Sequence, residues 1–535
     1  MPVDQTGEDI LFITDNQSIE VHIRVEYDGD AMKFAWVIPT LTIPTDFRVS
    51  SEALFTNIKA ASVPTYGIQT QPDDCSLPSP EDPSAPGAND GDTTGGAGSG
   101  TDGGEGGPTI YKQELVGAFE ITVLGGGTVE EVMTWLADNG YQQDPSAEPI
   151  LAEYLDEGHY FAAIKLVGGA GVDELHPIAL TFDHTEPCVP LRLTRIAASD
   201  DMDVRTYFLG QNRTVPDNYR HVLVNPLKID WINQASNYKE VITRAVDADE
   251  ADGRAFVTEY AGPSDVVGRF GLVDPNWSSS AFVSMDPVDV PQQLMLQGLL
   301  GCGWDPNTGE ETCAGINAMV DAVLADFLPV PAGVTEVEFY TNTAAYEGLI
   351  DLDVWDGQGF ADLLEERVIE PGRHADEVLT RHPYLTRMYT TISPHEMTED
   401  PIFYENPDLE EVVAARTATN RILCSGDSVW ILPDGREVFV PTGATWPDIG
   451  GDKWFEEEVQ EVMTAGPELV LVSNTAAINA ALDEYNAMHG WDGAPEIPGE
   501  SGGETDGGGG SDSGNASGGN GDNPESGEGC GCTTD

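Results

Sequence analysis

Positive charge is what this sequence has least of: 24 Lys and Arg stand against 93 Asp and Glu, a formal net charge of −69 over 535 residues. Such a surface repels phosphate backbones and anionic lipids, which excludes nucleic acid as a partner. It suits cations, basic cell-surface partners or a saline medium that screens the carboxylates. The two Pro/Gly/Ser-rich stretches at 71–108 and 491–535 contain no Lys or Arg, yet the remainder is still strongly acidic, so the folded part carries the charge. Apolar runs of roughly 18 residues are also missing, so no segment reads as a membrane-spanning helix. Met1 is not followed by a basic and then an apolar segment, so no signal peptide is visible in the chain. CxxC or clustered-histidine spacing, HExxH and a Walker loop are absent, as are GxSxG and GxGxxG outside the Gly-rich stretches. These absences remove the common zinc, hydrolase and nucleotide signatures and leave no catalytic residue or organic cofactor to name.

What is present is a dense alternation of short apolar runs and turns. Across 178–261, Pro177–Phe182, Val189–Ile196, Val204–Leu209 and Ala255–Tyr260 read as strands. Between them Tyr238, Val241, Ile242, Ala245 and Val246 form one stripe of a helix, with Ser236 as its expected N-cap. Near the start, Asp9–Ile13 and Met32–Ile38 read as strands, and strict alternation over 19–27 puts Ile19, Val21, Ile23, Val25 and Tyr27 on an inner face before the turn Asp28-Gly29-Asp30. The strand Gly117–Leu124 runs into Gly125, Gly126 and Gly127 and then a capping box, Thr128-x-x-Glu131. That outline fits a phosphate cradle, but without a following Gly-Lys-Ser/Thr a tight turn is expected. A second helix over 149–155 and a strand over 159–167 follow. Beyond residue 285 the pattern predicts helices at 291–300 and 316–328, a strand at 334–340, and a hairpin of Val429–Leu432 and Glu437–Val440 around Pro433–Arg436. Helix, strand and helix then follow at 453–464, 468–473 and 475–488. The fold class is α+β: a mainly antiparallel β domain with a few helices over 1–284, interrupted by a disordered acidic excursion at 71–108, then a more helical α+β domain over 285–490 and a Gly/Ser/Asp stalk-like tail at 491–535.

Calcium is the ligand this composition invites, since it takes clustered carboxylate and carbonyl oxygens. Asp247, Asp249 and Asp252 with Glu259, and also Asp351, Asp353 and Asp356, approach an EF-hand loop, but each third Asp and its Gly fall one residue late. A solvated acidic turn is the plainer expectation for both. Cys302 and Cys313 bracket a ten-residue loop and predict a short disulfide, whereas Cys75, Cys188 and Cys424 leave several pairings open. His184, Glu186 and Cys188 would share one face of a strand, as metal or nucleophile clusters do, although a disulfide or core role suits Cys188 equally. Gly426-Asp427-Ser428 matches a serine-protease loop over three residues only.

The phrases PLRLTRIAASDDMDVRTYFLG (190–210), VPDNY (215–219), IDWINQASNY (229–238), AFVTEYAGP (255–263) and PYLTRMYTTISPHEMTEDPIF (383–403) resemble the bacterial family designated domain of unknown function 2330. PVDQTGEDILFI (2–13) and DAMKFAWVIP (30–39) are similar to its N-terminal part. The resemblance implies no activity. It does imply an exported protein, because family members resemble secreted proteins with a signal peptide and a cysteine-containing segment ahead of the PVDQ phrase. The tail closing on Cys530-Gly-Cys532 is similar to the start of the C-terminal sorting signals of myxobacterial surface proteins, which implies attachment through Cys530 and Cys532; the hydrophobic helix and basic end of those signals do not follow. The expectation is an extracytoplasmic, secreted or cell-surface protein with a binding or structural role. The alternatives are a secreted hydrolase with a site assembled from distant residues, and a calcium-stabilised extracellular module.

Overall fold

The computed structural model describes residues 5–15, 18–25, 35–73, 108–141, 144–167, 175–183, 186–305 and 309–491. Tyr27, the turn at 28–30, Cys75 and most of the acidic excursion, His184, and the tail with Cys530 and Cys532 lie outside the described residues. Within them the chain is α+β, as its alternating patterns predict. The centre is a ten-stranded sheet in the order Leu469–Ser473, Glu456–Glu461, Arg220–Val224, Ala255–Pro263, Tyr384–Ile392, Ala198–Gly210, Gln5–Asp15, Ser18–Val25, Ile178–Asp183 and Asp46–Val49. Two of its pairings are parallel, Gln5–Asp15 with Ala198–Gly210 and Arg220–Val224 with Ala255–Pro263. Because Tyr384–Ile392 sits between Ala255–Pro263 and Ala198–Gly210, the sheet draws strands from both sides of residue 285.

Both faces of this sheet are covered, which explains why Asp9–Ile13 reads as a continuous apolar run. On one face Ile10, Phe12, Ile19, Ile23 and Leu180 meet an antiparallel four-stranded sheet, ordered Ala35–Thr40, Tyr160–Leu166, Phe119–Gly125 and Thr109–Val116. On the other, Leu11, Ile13 and Leu209 pack under the helices Glu52–Ser62 and Glu370–Arg381. A second four-stranded sheet, Glu437–Val440, Ser428–Ile431, Ala415–Ile422 and Thr65–Pro72, closes over Trp231 and the C-terminal helix Thr475–Met488. Helical segments between Phe282 and Ile369 gather a separate core around Phe282, Val320, Phe339 and Phe360. The hairpin at 428–440 forms as predicted, with Gly435 at φ 85° closing its turn.

Three elements differ from the sequence reading. Leu191–Thr194 is one helical turn rather than a strand, because the Asp400 carboxylate accepts the Arg192 N–H at 2.8 Å and caps it from 208 residues away. Glu336–Thr341 is a helix started by the Thr335/Glu338 capping box, whose reciprocal bonds outweigh the β-branched residues of that run. Glu456–Glu461 is a strand despite its helix-forming Glu residues, since pairing on both edges, with Arg220–Val224 and Leu469–Ser473, overrides propensity. In the helix Tyr238–Val246, Asn237 rather than Ser236 holds the N-cap position, without a side-chain bond.

The helix Gly357–Leu364 continues through a π-helical turn, Glu365–Ile369, into Glu370–Arg381. Gly372 lets this last helix press onto the loop before residue 277, where a Cβ would stand 1.9 Å from the Leu272 carbonyl oxygen. Gly372→Ala is therefore expected to cost about 1–3 kcal/mol by overpacking. Urea denaturation of the two proteins checks this, and a change under 0.5 kcal/mol would show the helix free to retreat.

Candidate functional site

The acidic residues singled out by sequence do not converge. Asp247 is the C-terminal cap of Tyr238–Val246, and Asp252, at φ 53°, pairs with Arg254 at 3.1 Å. Asp249 is exposed. Glu259 is buried in the main sheet, where its carboxylate accepts from Tyr238 Oη at 2.7 Å and from Arg387 Nε at 2.5 Å. In the other loop Asp351 accepts the Asp353 N–H, and Asp356 caps the helix at Gln358. Glu186 accepts from Tyr404 Oη, and Cys188 and Cys424 are each disulfide-bonded, so neither sulfur is a thiolate nucleophile. Cys302 and Cys313 are bonded to each other across the Leu300–Asp305/Glu310–Gly315 hairpin. At the glycine turn 125–127 the Glu131 carboxylate takes the Thr128 N–H at the helix start. Asp427 is engaged by Ser425 and Thr442, while Ser428 belongs to a strand.

The side chains that do converge were not singled out by the sequence reading. On Ser18–Val25 the residues opposite Ile19, Val21 and Ile23 are Glu20, His22 and Arg24, and they face the helix layer. His374, from Glu370–Arg381, descends onto them. Glu20 Oε1 lies 2.6 Å from His374 Nε2 and 2.9 Å from His22 Nε2. Among the described residues this is the one group of three His, Cys, Asp or Glu side chains whose ligand atoms all fall within 4.8 Å of one another. His22 Nδ1 bonds Ser50 Oγ at 2.6 Å, and Arg48 Nη1 donates to His374 Nδ1 at 3.2 Å while Asp46 holds the same guanidinium through Nε and Nη2. The imidazole rings lie nearly parallel, at 10° with centroids 6.0 Å apart.

Burial alone would raise the Glu20 pKa, but the two histidines outweigh it and hold the carboxyl well below its usual range, so it is ionised. Burial lowers the His22 pKa more than Glu20 raises it, so this imidazole gives up its proton more readily than a free histidine. His374 and Arg48 border a cleft of about 370 Å³ that also takes in Asp46, Glu114, Glu366 and Glu370. Ser50, His22 and Glu20 stand in the order of a nucleophile, base and orienting acid. Ser50 is only 2% exposed, however, beneath the start of Glu52–Ser62, where a substrate carbonyl does not reach.

A second concavity lies between the two facing sheets. This small, mostly apolar cavity of about 80 Å³ is walled by Phe12, Ile23, Ile38, Leu180 and Phe182 and ends on Tyr154 and Asp400. Asp400 is buried completely and accepts from Arg192 N, Arg192 Nε and Tyr154 Oη at 2.8, 2.9 and 2.7 Å. Arg192 also forks onto Glu157 at 2.8 and 2.6 Å, with its guanidinium 4.1 Å above the Tyr154 ring. These groups satisfy one another, and the cluster ties the helix Ala147–Asp156 to the Leu191–Thr194 turn and the loop that carries Asp400.

No helix among the described residues is long and apolar enough to cross a membrane. No curated protein and no solved structure matches the chain. A family model does match residues 3–277, and over that stretch its description is "uncharacterized protein conserved in bacteria". The chain therefore belongs to the bacterial DUF2330 family.

Proposed function

We propose that this protein works outside the cytoplasm as a binding protein with an acidic surface that recruits cationic partners. The Cys302–Cys313 disulfide carries the compartment: with Cys188 and Cys424 also oxidised, the fold uses a bond that persists in oxidising surroundings and is kept reduced in the cytosol. The net charge of −69 supports the recruitment of cations and basic surfaces, and the Gly/Ser/Asp-rich residues 491–535 suit a stalk that holds the folded part away from an attachment point. A binding role also accords with Ser50 and Cys188, the nucleophile candidates, being respectively inaccessible and oxidised.

The test is fractionation of the native host, combined with alkylation of thiols by a membrane-impermeant reagent before and after reduction. Protein in the envelope or medium, with Cys302 and Cys313 alkylated only after reduction, is the expected result. Recovery from the cytosol with both thiols reduced would end the proposal.

A further inference from the structure

We propose that Glu20, His22 and His374 form a binding site for one divalent transition-metal ion of the zinc class. Two imidazoles and a carboxylate are the donor set that prefers zinc and its neighbours over calcium or magnesium, which favour oxygen donors. The set comes from a strand and a helix 354 residues apart, and both elements are anchored independently of it: Ser18–Val25 is paired on both edges, and Glu370–Arg381 is seated by Gly372.

The sharpest indication is His22. Its side chain is 1% exposed, and its Nε2 makes no directed hydrogen bond although Glu20 Oε1 lies 2.9 Å away. Ser50 Oγ occupies Nδ1, so Nε2 is the ring nitrogen left for a cation, which would lie between it and the Glu20 carboxylate. The Ser50 bond is also the outer-shell contact that a ligating histidine uses to fix its tautomer. Zinc–nitrogen and zinc–oxygen bonds of about 2.0–2.2 Å place tetrahedral neighbours roughly 3.3 Å apart, so the carboxylate has to withdraw by less than about 1 Å. A fourth donor, water or a ligand group, would enter from the cleft beside His374.

Arg48 makes the site conditional. A guanidinium only donates, so its bond to His374 Nδ1 assigns the proton to Nε2, which then donates to Glu20. Loading the ion requires His374 to lose that proton from Nε2 and Arg48 to release Nδ1. Asp46 already holds the guanidinium through two nitrogens and retains it after release. Arg48 thus competes with the ion, and Arg48→Gln, which can accept from Nδ1–H, is expected to tighten binding.

The experiment is titration of the metal-stripped, untagged full chain with cobalt(II), in high sodium chloride and excess magnesium to occupy the surface carboxylates. One equivalent of cobalt should produce intense ligand-field absorption that zinc displaces and calcium does not. His374→Ala and Glu20→Gln should each weaken binding at least tenfold, and Ser50→Ala about tenfold. Circular dichroism and the thermal midpoint of each variant without metal separate lost ligation from lost folding. Absence of a saturable one-to-one complex in the intact chain overturns the proposal and leaves a proton-sharing cluster. So does a complex that keeps its affinity in the folded His374→Ala and Glu20→Gln variants. Either failure leaves the extracytoplasmic assignment standing, since that rests on cysteine oxidation alone.

Discussion

Asp400→Ala is expected to destabilise the protein by about 3–5 kcal/mol, the range for breaking a buried ion pair from one side. The aspartate has no exposed surface and stands at the junction of three elements. It caps the Leu191–Thr194 turn through the Arg192 N–H, pairs with Arg192 Nε, and accepts from Tyr154 on the helix Ala147–Asp156. Removing it leaves a backbone N–H, a phenol and part of a guanidinium without their acceptor, beside a cavity lined mostly by apolar side chains. Burial raises the Asp400 pKa above the usual carboxylate value, and the Arg192 guanidinium, its backbone N–H and the Tyr154 hydroxyl work against that rise. Glu157, on the other fork of Arg192, is 29% exposed, and its removal should cost only about 1 kcal/mol. Urea denaturation of the two single variants checks the contrast. Equal, small losses for both would mean that Arg192 is solvated in the native state and that the cluster contributes little.

Neither the Glu20–His22–His374 cluster nor the Asp400–Arg192 cluster was legible in the sequence. Alternation correctly gave Ile19, Val21 and Ile23 one inner face, yet the same rule assigns Glu20 and His22 to solvent. It fails there because the main sheet is covered on both sides, and a polar residue on a covered face looks no different in sequence from one in water. His374, the third member, lies 354 residues from Glu20 and marks no pattern of its own in an exposed-looking, strongly amphipathic helix. For Arg192 the run Val189–Ile196 suggests only a strand, because nothing near it announces that Asp400 will cap it. Local signals that complete themselves within a few residues were reliable: the Thr128/Glu131 box, the 433–436 turn and the Cys302–Cys313 loop all form as expected. The Thr335/Glu338 box is equally present in the sequence, but the strand expected over 334–340 took no account of it.

Acidification from pH 7 to pH 4 should remove about 6 kcal/mol of stability through two buried histidines, His176 and His221. Burial is the first cause in each, lowering the pKa from 6.5 to about 4. Their hydrogen bonds make the neutral form specific. Nε2 of His176 accepts the Ala118 N–H at 3.0 Å while Nδ1 donates to the Pro177 carbonyl; Nε2 of His221 accepts the Thr258 N–H at 3.3 Å while Nδ1 donates to Gln460 Oε1. A second proton would set two N–H groups against each other in an enclosed site, beside Arg213 in the case of His221. Because the folded pKa lies below the unfolded one, the contribution is complete above about pH 6.5 and is lost as pH falls through 4. The gap corresponds to roughly 3 kcal/mol per residue. The acidic surface acts in the opposite sense, since protonating carboxylates relieves self-repulsion, and high salt is needed to suppress that term. Denaturation midpoints of the wild type and of His221→Gln between pH 4 and 7.5 isolate the histidine share. The variant should start less stable and then lose about 3 kcal/mol less than the wild type on acidification. Parallel curves, or an imidazole resonance of His221 titrating near pH 6.5 in the folded protein, would show that water reaches the ring and that the strands around it open more readily than their burial implies.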